Sequence, residues 1–135
     1  MKKQILLLVT LFMCTVTFAQ KDELKAADKA VKKNDYATAA AQVSQAEALI
    51  ADADDKTKAK FYYLKGQTYA GMAKTDPSES NYNTAAESFG SLFEVEEKLG
   101  STKYTDLAQP TLTSMIEDVS AQGIQSYQNK DYTAA

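Results

Sequence analysis

Asn34-Asp35-Tyr36-Ala37-Thr38-Ala39-Ala40 is the stretch on which the reading of this chain turns. Asn and Asp have short polar side chains that cap free backbone N–H groups, so the pair marks a tight turn and a helix start. On its N-terminal side Leu24, Ala27 and Val31 fall at spacings of three and four, and on its C-terminal side so do Tyr36, Ala39, Val43, Ala46 and Ile50. Such spacing lays apolar side chains along one face of an α-helix. The segment predicts a helical hairpin, about 22–33 with 35–51.

The same pattern returns at Asn81-Tyr82-Asn83-Thr84-Ala85-Ala86 and at Lys130-Asp131-Tyr132-Thr133-Ala134-Ala135. Each time a polar turn precedes a tyrosine, and a small residue follows three positions later. The tyrosine suits the corner where two helices diverge, and the alanine lets their backbones approach. Between these marks the chain is rich in Ala, Lys, Glu, Gln and Leu, with Pro77 and Pro110 as its only hard breakers. After the acidic stretch Asp52–Asp55, which is suited to cap the next helix, a helix is predicted from about Lys58 to Lys74. Phe61, Leu64, Thr68 and Met72 form its main stripe, with Tyr62, Tyr69 and Ala73 alongside. Asp76-Pro77-Ser78-Glu79 reads as a break, with Pro in a first turn and Asp and Glu spaced as a capping box. A helix over about 82–99 follows, presenting Tyr82, Ala85, Phe89, Leu92 and Leu99, and ends on Lys98 and a left-handed Gly100. The last long helix is predicted from near Pro110 to about Gln128, after a short turn at 105–109, with Leu112, Ile116, Val119, Gly123 and Tyr127 aligned. No run reads as a strand, and the fold class is all-α.

This pattern resembles the tetratricopeptide repeat, whose units are helix–turn–helix hairpins of about 34 residues stacked into a solenoid. The resemblance covers nearly all of 22–135. Gly66 with Tyr69 looks like the family's small residue and following aromatic, and Gly123 and Ala27 each lie nine residues before a turn tyrosine. Glycine inside a helix costs about 1 kcal/mol relative to alanine, so Gly66 and Gly123 imply close approach of a neighbouring helix. The tyrosines stand 46 and 50 residues apart, which requires insertions near 75–81 and 100–110. Lys65 occupies a position usually apolar in the family. The resemblance implies a short α-solenoid of about two and a half hairpins over 20–135, and a helical bundle of other lineage is the alternative.

At the N-terminus, Lys2 and Lys3, an apolar run from Ile5 to Met13, and Thr17-Phe18-Ala19 form the pattern of a secretory signal peptide, 1–19, cut after Ala19. The run is short for a spanning helix, which needs about 20 apolar residues, so the mature chain is expected to have no transmembrane span. Lipidation at Cys14 is the variant reading, and Met13 is large for it. Of 15 basic residues, all lysine, cleavage removes two and leaves 13 against 18 acidic ones, a net charge of −5. That balance argues against nucleic acid, whose binding rests on clustered Lys and Arg. Without His, and without Cys once the signal is gone, the mature chain has no imidazole base, no thiolate and no soft ligand set for zinc, iron or copper. The acidic clusters Asp52, Asp54, Asp55 and Glu94, Glu96, Glu97 lack calcium-loop spacing and read as solvated helix ends and faces. The expectation is a chain that is not an enzyme and uses no cofactor or metal.

In the family that the chain resembles, first helices of successive units line a concave groove. The resemblance therefore points to Asp28, Lys32, Lys60, Tyr63, Gln67, Tyr127 and Gln128 as partner-binding positions, suited to an extended peptide or partner helix. A chaperone-tail clamp is not expected, since its positions hold Leu24, Asp28, Tyr63, Leu64 and Gln67. The functional expectation is a protein-binding scaffold of the bacterial periplasm or cell envelope. Alternatives are a support module in a larger glycan- or substrate-capturing assembly, or beside an enzymatic part beyond residue 135. The turn at Asn129–Asp131 opens a helix with four further residues, so the reading also expects Ile116, Val119 and Tyr127 to be exposed and to promote self-association.

Overall fold

The computed structural model describes residues 21–129. The expected signal peptide over 1–19, with Cys14, and the third turn-tyrosine-alanine segment lie outside the described residues. Among those described, every regular element is helical. The elements are α1 (21–32), α2 (Tyr36–Glu47), one 3-10 turn (Ile50–Asp52), α3 (Asp55–Ala73), α4 (Glu79–Leu99) and α5 (Lys103–Gln128).

The turn at Asn34 forms as its side chains dictate. Asn34 takes a left-handed conformation, φ 57°, which Asn tolerates better than most residues. The Asn34 and Asp35 N–H groups donate back to the Val31 and Ala30 carbonyls, both at 2.9 Å, closing α1 with a Schellman motif. Asp35 then caps α2 by accepting the Thr38 N–H at 3.1 Å. α2 ends at Glu47, earlier than the periodicity suggests, and Ile50 is buried from the 3-10 turn instead. Asp54 caps α3 by accepting the Thr57 N–H at 2.9 Å.

α3 is the central element, packing against α2, α4 and α5. Phe61 and Leu64 join Leu24, Ala27, Val43, Ala46 and Ile50 in one apolar cluster. Ala59 and Ala70 join Ala85, Phe89, Leu92, Val95, Ala108 and Met115 in the other. Two glycines let the neighbours come close. A Cβ on Gly66 would fall 2.5 Å from the ring of Phe89 on α4, and one on Gly71 would collide with the ring of Tyr36 on α2. Tyr36 therefore fills the space between its own helix and α3, while its hydroxyl donates to Asn34 Oδ1 at 2.9 Å. Lys65, at a position expected to be apolar, is ion-paired to Glu47 across α2 and α3. Gly123 has nothing within 4 Å of a built Cβ among the described residues, so the close approach expected there is not seen.

Both remaining helix starts differ from the expectation. α4 begins at Glu79, not near residue 82, and its cap is Ser78, whose Oγ accepts the Asn81 N–H at 3.3 Å. Asp76 is not the cap, because buried Asn81 turns its amide back to the Asp76 carbonyl at 2.9 Å and carboxylate at 3.3 Å. Pro77 consequently precedes the helix. Gly100 ends α4 in the expected left-handed conformation, φ 61°.

α5 is one continuous helix from Lys103, with Pro110 inside it. An internal proline removes one backbone bond and crowds the preceding turn, at a cost of about 3 kcal/mol. Tertiary contacts offset that cost. Glu96, only 2% exposed, accepts the Tyr104 and Thr105 N–H groups at 2.8 Å each, capping α5 from the preceding helix. Ala108 and Met115 are buried on α5 beyond it. Glu96 is therefore no part of a solvated acidic face, and its neighbours Glu94 and Glu97 remain exposed.

Two stability measurements check this packing. In urea denaturation, Glu96→Ala should lose about 3 kcal/mol, since two charge-assisted bonds vanish and leave partly buried donors behind, while Glu97→Ala should change stability by less than about 0.5 kcal/mol. Gly66→Ala should lose roughly 1 kcal/mol, overpacking exceeding the gain in helix propensity. That loss should shrink when Phe89 is also replaced by Leu, whereas strict additivity would mean that the Phe89 ring is not what Gly66 accommodates.

Candidate functional site

α1, α3 and α5 bring a set of polar and aromatic side chains to one face. On α1, Lys32 Nζ lies 2.7 Å from Asp28 Oδ2, one turn apart. The hydrogen bond to Asp28, followed by its charge, raises the Lys32 pKa above the ordinary lysine value. On α3, Tyr63 and Gln67 are likewise one turn apart, and both are half-buried. On α5, Tyr104 stacks on Tyr63 with ring centroids 5.2 Å apart and planes tilted by 31°. Thr111 Oγ1 donates to Gln67 Oε1 at 2.9 Å, a second link between α3 and α5.

Burial raises the phenol pKa of both Tyr63 and Tyr104, and the Asp28 carboxylate adds to the rise at each. A nearby negative charge opposes ionisation of a phenol to phenolate. Asp28 is thus the acid whose charge bears on both phenols. Lys103 Nζ lies 5.1 Å from the Tyr104 ring centroid, within cation–π range.

Of the seven expected positions, Asp28, Lys32, Tyr63 and Gln67 are thus gathered on one face. Lys60, half-buried, lies one turn before Tyr63 on α3. Tyr127 and Gln128 do not join them. They are exposed in the last turn of α5, and the 23 residues separating Tyr127 from Tyr104 amount to about 35 Å of helix at 1.5 Å per residue. Sequence reasoning passed over Tyr104 because it began the last helix near Pro110, and over Thr111 because its partner Gln67 lies on another helix. The series Tyr104, Ala108, Leu112, Met115 at spacings of four, four and three was the available signal.

The assembled groups offer two aromatic faces, an acid–base pair and a side-chain amide. These suit recognition of a polypeptide: stacking, apolar contact and hydrogen bonds to main chain. Among the described residues no cluster of three or more metal-ligating side chains is placed to hold a metal ion, and no helix is long and apolar enough to cross a membrane. Comparison with family models, with curated proteins and with solved structures gives no match.

The tyrosine pair makes a titration prediction. A phenol whose folded pKa is raised contributes stability that is complete below the unfolded value, about 10, and is lost as pH rises from there through the folded value. Spectrophotometric titration should therefore find Tyr63 and Tyr104 ionising late, with stability falling above about pH 10. Asp28→Asn should bring both transitions down; unchanged transitions would separate Asp28 from the pair.

Proposed function

We propose that the protein is a non-catalytic interaction scaffold of the tetratricopeptide-repeat type, exported to the bacterial periplasm or cell envelope, which binds an extended peptide or partner helix. The observation that carries this reading is the shared face of α1, α3 and α5. Tyr63 and Gln67 of α3 are joined to Tyr104 and Thr111 of α5, and α1, which carries the Asp28–Lys32 pair, packs on the same α3, so alternate helices supply the set. Alternate helices contribute to one surface when helix pairs stack in sequence, as in a solenoid. The recurring turn-tyrosine-alanine segments and the close-packing glycines of α3 support the same arrangement. The lysine pair, apolar run and Thr17-Phe18-Ala19 at the N-terminus support export.

Recognition on this face depends on stacking against the tyrosines and on the placement of the Asp28–Lys32 pair. Exposed ion pairs add little net energy, typically below about 1 kcal/mol, so their role is in orientation and choice of partner. The half-buried aromatic surface supplies most of the affinity.

Selection of peptides from a displayed random library on the purified protein tests the reading. Selected peptides should bind Asp28→Lys and Tyr104→Ser variants at least ten-fold more weakly, with helical circular dichroism unchanged. Peptides that bind both variants as well as the original protein would move the site elsewhere.

A further inference from the structure

At the other end of α5 lies an apolar groove, of about 960 Å³, between α4 and α5. Tyr82 from α4 and Leu112, Met115, Ile116, Val119 and Gly123 from α5 line it. The α5 residues Leu112, Ile116, Val119 and Gly123 follow one another at spacings of four, three and four, the seam that one helix presents to another. Ile116 is 67% exposed and Val119 49%, as the sequence led one to expect. Gln122 Nε2 donates to Tyr82 Oη at 2.9 Å and ties the two walls together. From Leu112 to Gly123 the floor extends about 16 Å, three turns of a helix at 1.5 Å per residue.

Charge selects among helices that fit this floor. On the parts of α4 and α5 that bound the groove stand Glu79, Glu87, Glu117 and Asp118 and no lysine, while Lys98 and Lys103 lie at the far end, around the α4–α5 turn, with Glu94, Glu96, Glu97 and Asp106. Glu79 lines the groove itself, and the smaller depression that shares Pro77, Tyr82 and Gln122 with it is lined by Asp118 and Lys74. We infer that the α4–α5 groove is a second docking site, which takes a cationic amphipathic α-helix of about three turns from a partner protein, its apolar face on Ile116 and Val119 and its lysines or arginines toward Glu79 and Asp118.

Self-association through Ile116 and Val119, which the sequence leads one to expect, fits this groove less well on charge than a cationic helix does. The lysine-rich helices of a second copy, α1 and α3, have already buried their apolar positions, Leu24, Ala27 and Ala30 on one and Phe61 and Leu64 on the other. Pairing α5 with another α5 brings like charges at Glu117 and Asp118 together. This site is independent of the α1–α3–α5 face.

Fluorescence anisotropy with the purified protein and synthetic labelled helices tests the inference. The first probe carries a leucine and phenylalanine face flanked by lysines. The second replaces those lysines by glutamates. The lysine probe should bind at least ten-fold tighter than the glutamate probe and weaken as salt is raised. Val119→Glu should reduce its affinity at least ten-fold. Asp28→Lys should leave it unchanged, so loss of the α1–α3–α5 site and loss of this one are read separately. Equal binding of both probes or failure of the lysine probe to bind would overturn the inference. So would a concentration-dependent dimer in sedimentation that Val119→Glu abolishes, because the groove would then belong to a second copy.

Discussion

Close approach of helices around α3 is the constraint on which the rest of the structure depends. α3 contacts α2, α4 and α5, and it does so with small residues where the neighbours bring large ones. Phe89 lies over Gly66 and Tyr36 over Gly71, so each ring occupies volume that any side chain on α3 would need. Interiors are packed to crystal-like density, and a single methyl group at such a point must displace something. The glycines weaken α3 as an isolated helix, and the two apolar clusters on its sides restore the balance.

The position of α5 follows from that packing by way of one buried carboxylate. Glu96 sits in the last turn of α4, and the Gly100 turn brings the start of α5 back to it. Its two bonds satisfy free N–H groups of the first turn of α5, which Thr102 leaves uncapped. With the start of α5 held there, Tyr104 reaches Tyr63 and Thr111 reaches Gln67. The same placement leaves the second half of α5 with Ile116 and Val119 outward. One helix thereby contributes to two separate surfaces, an aromatic and mixed-charge one near its start and an apolar, acid-rimmed one near its end.

Much of the fold was legible because it rests on local chemistry. The Asn34-Asp35 turn, the Asp54 cap and the Gly100 terminus are set by the side chain or conformational freedom of single residues, and periodicity marked Leu24, Ala27, Val43, Phe61, Leu64, Phe89 and Leu92 as core. The errors fall where a distant or competing group decided the outcome. Pro110 has the chemistry of a helix start, but Glu96 caps the Tyr104 and Thr105 N–H groups and α5 begins at Lys103, and Asp76 has the chemistry of a cap, but Asn81 occupies its carboxylate. For the candidate site, the family resemblance pointed to Asp28, Lys32, Tyr63 and Gln67 as groove positions. Tyr104 was not among them, because its partner is 41 residues away in sequence.

By itself the sequence determined the helical class, the turns and the faces that are buried, since caps, glycine and period-of-3.6 patterning act within a few residues. Only the tertiary structure decided the role of Glu96, the union of Tyr63 with Tyr104 and the separation of Tyr127 from them. These depend on which helices come to lie side by side, and that is settled by side-chain volumes meeting across the core, a relation between residues far apart along the chain.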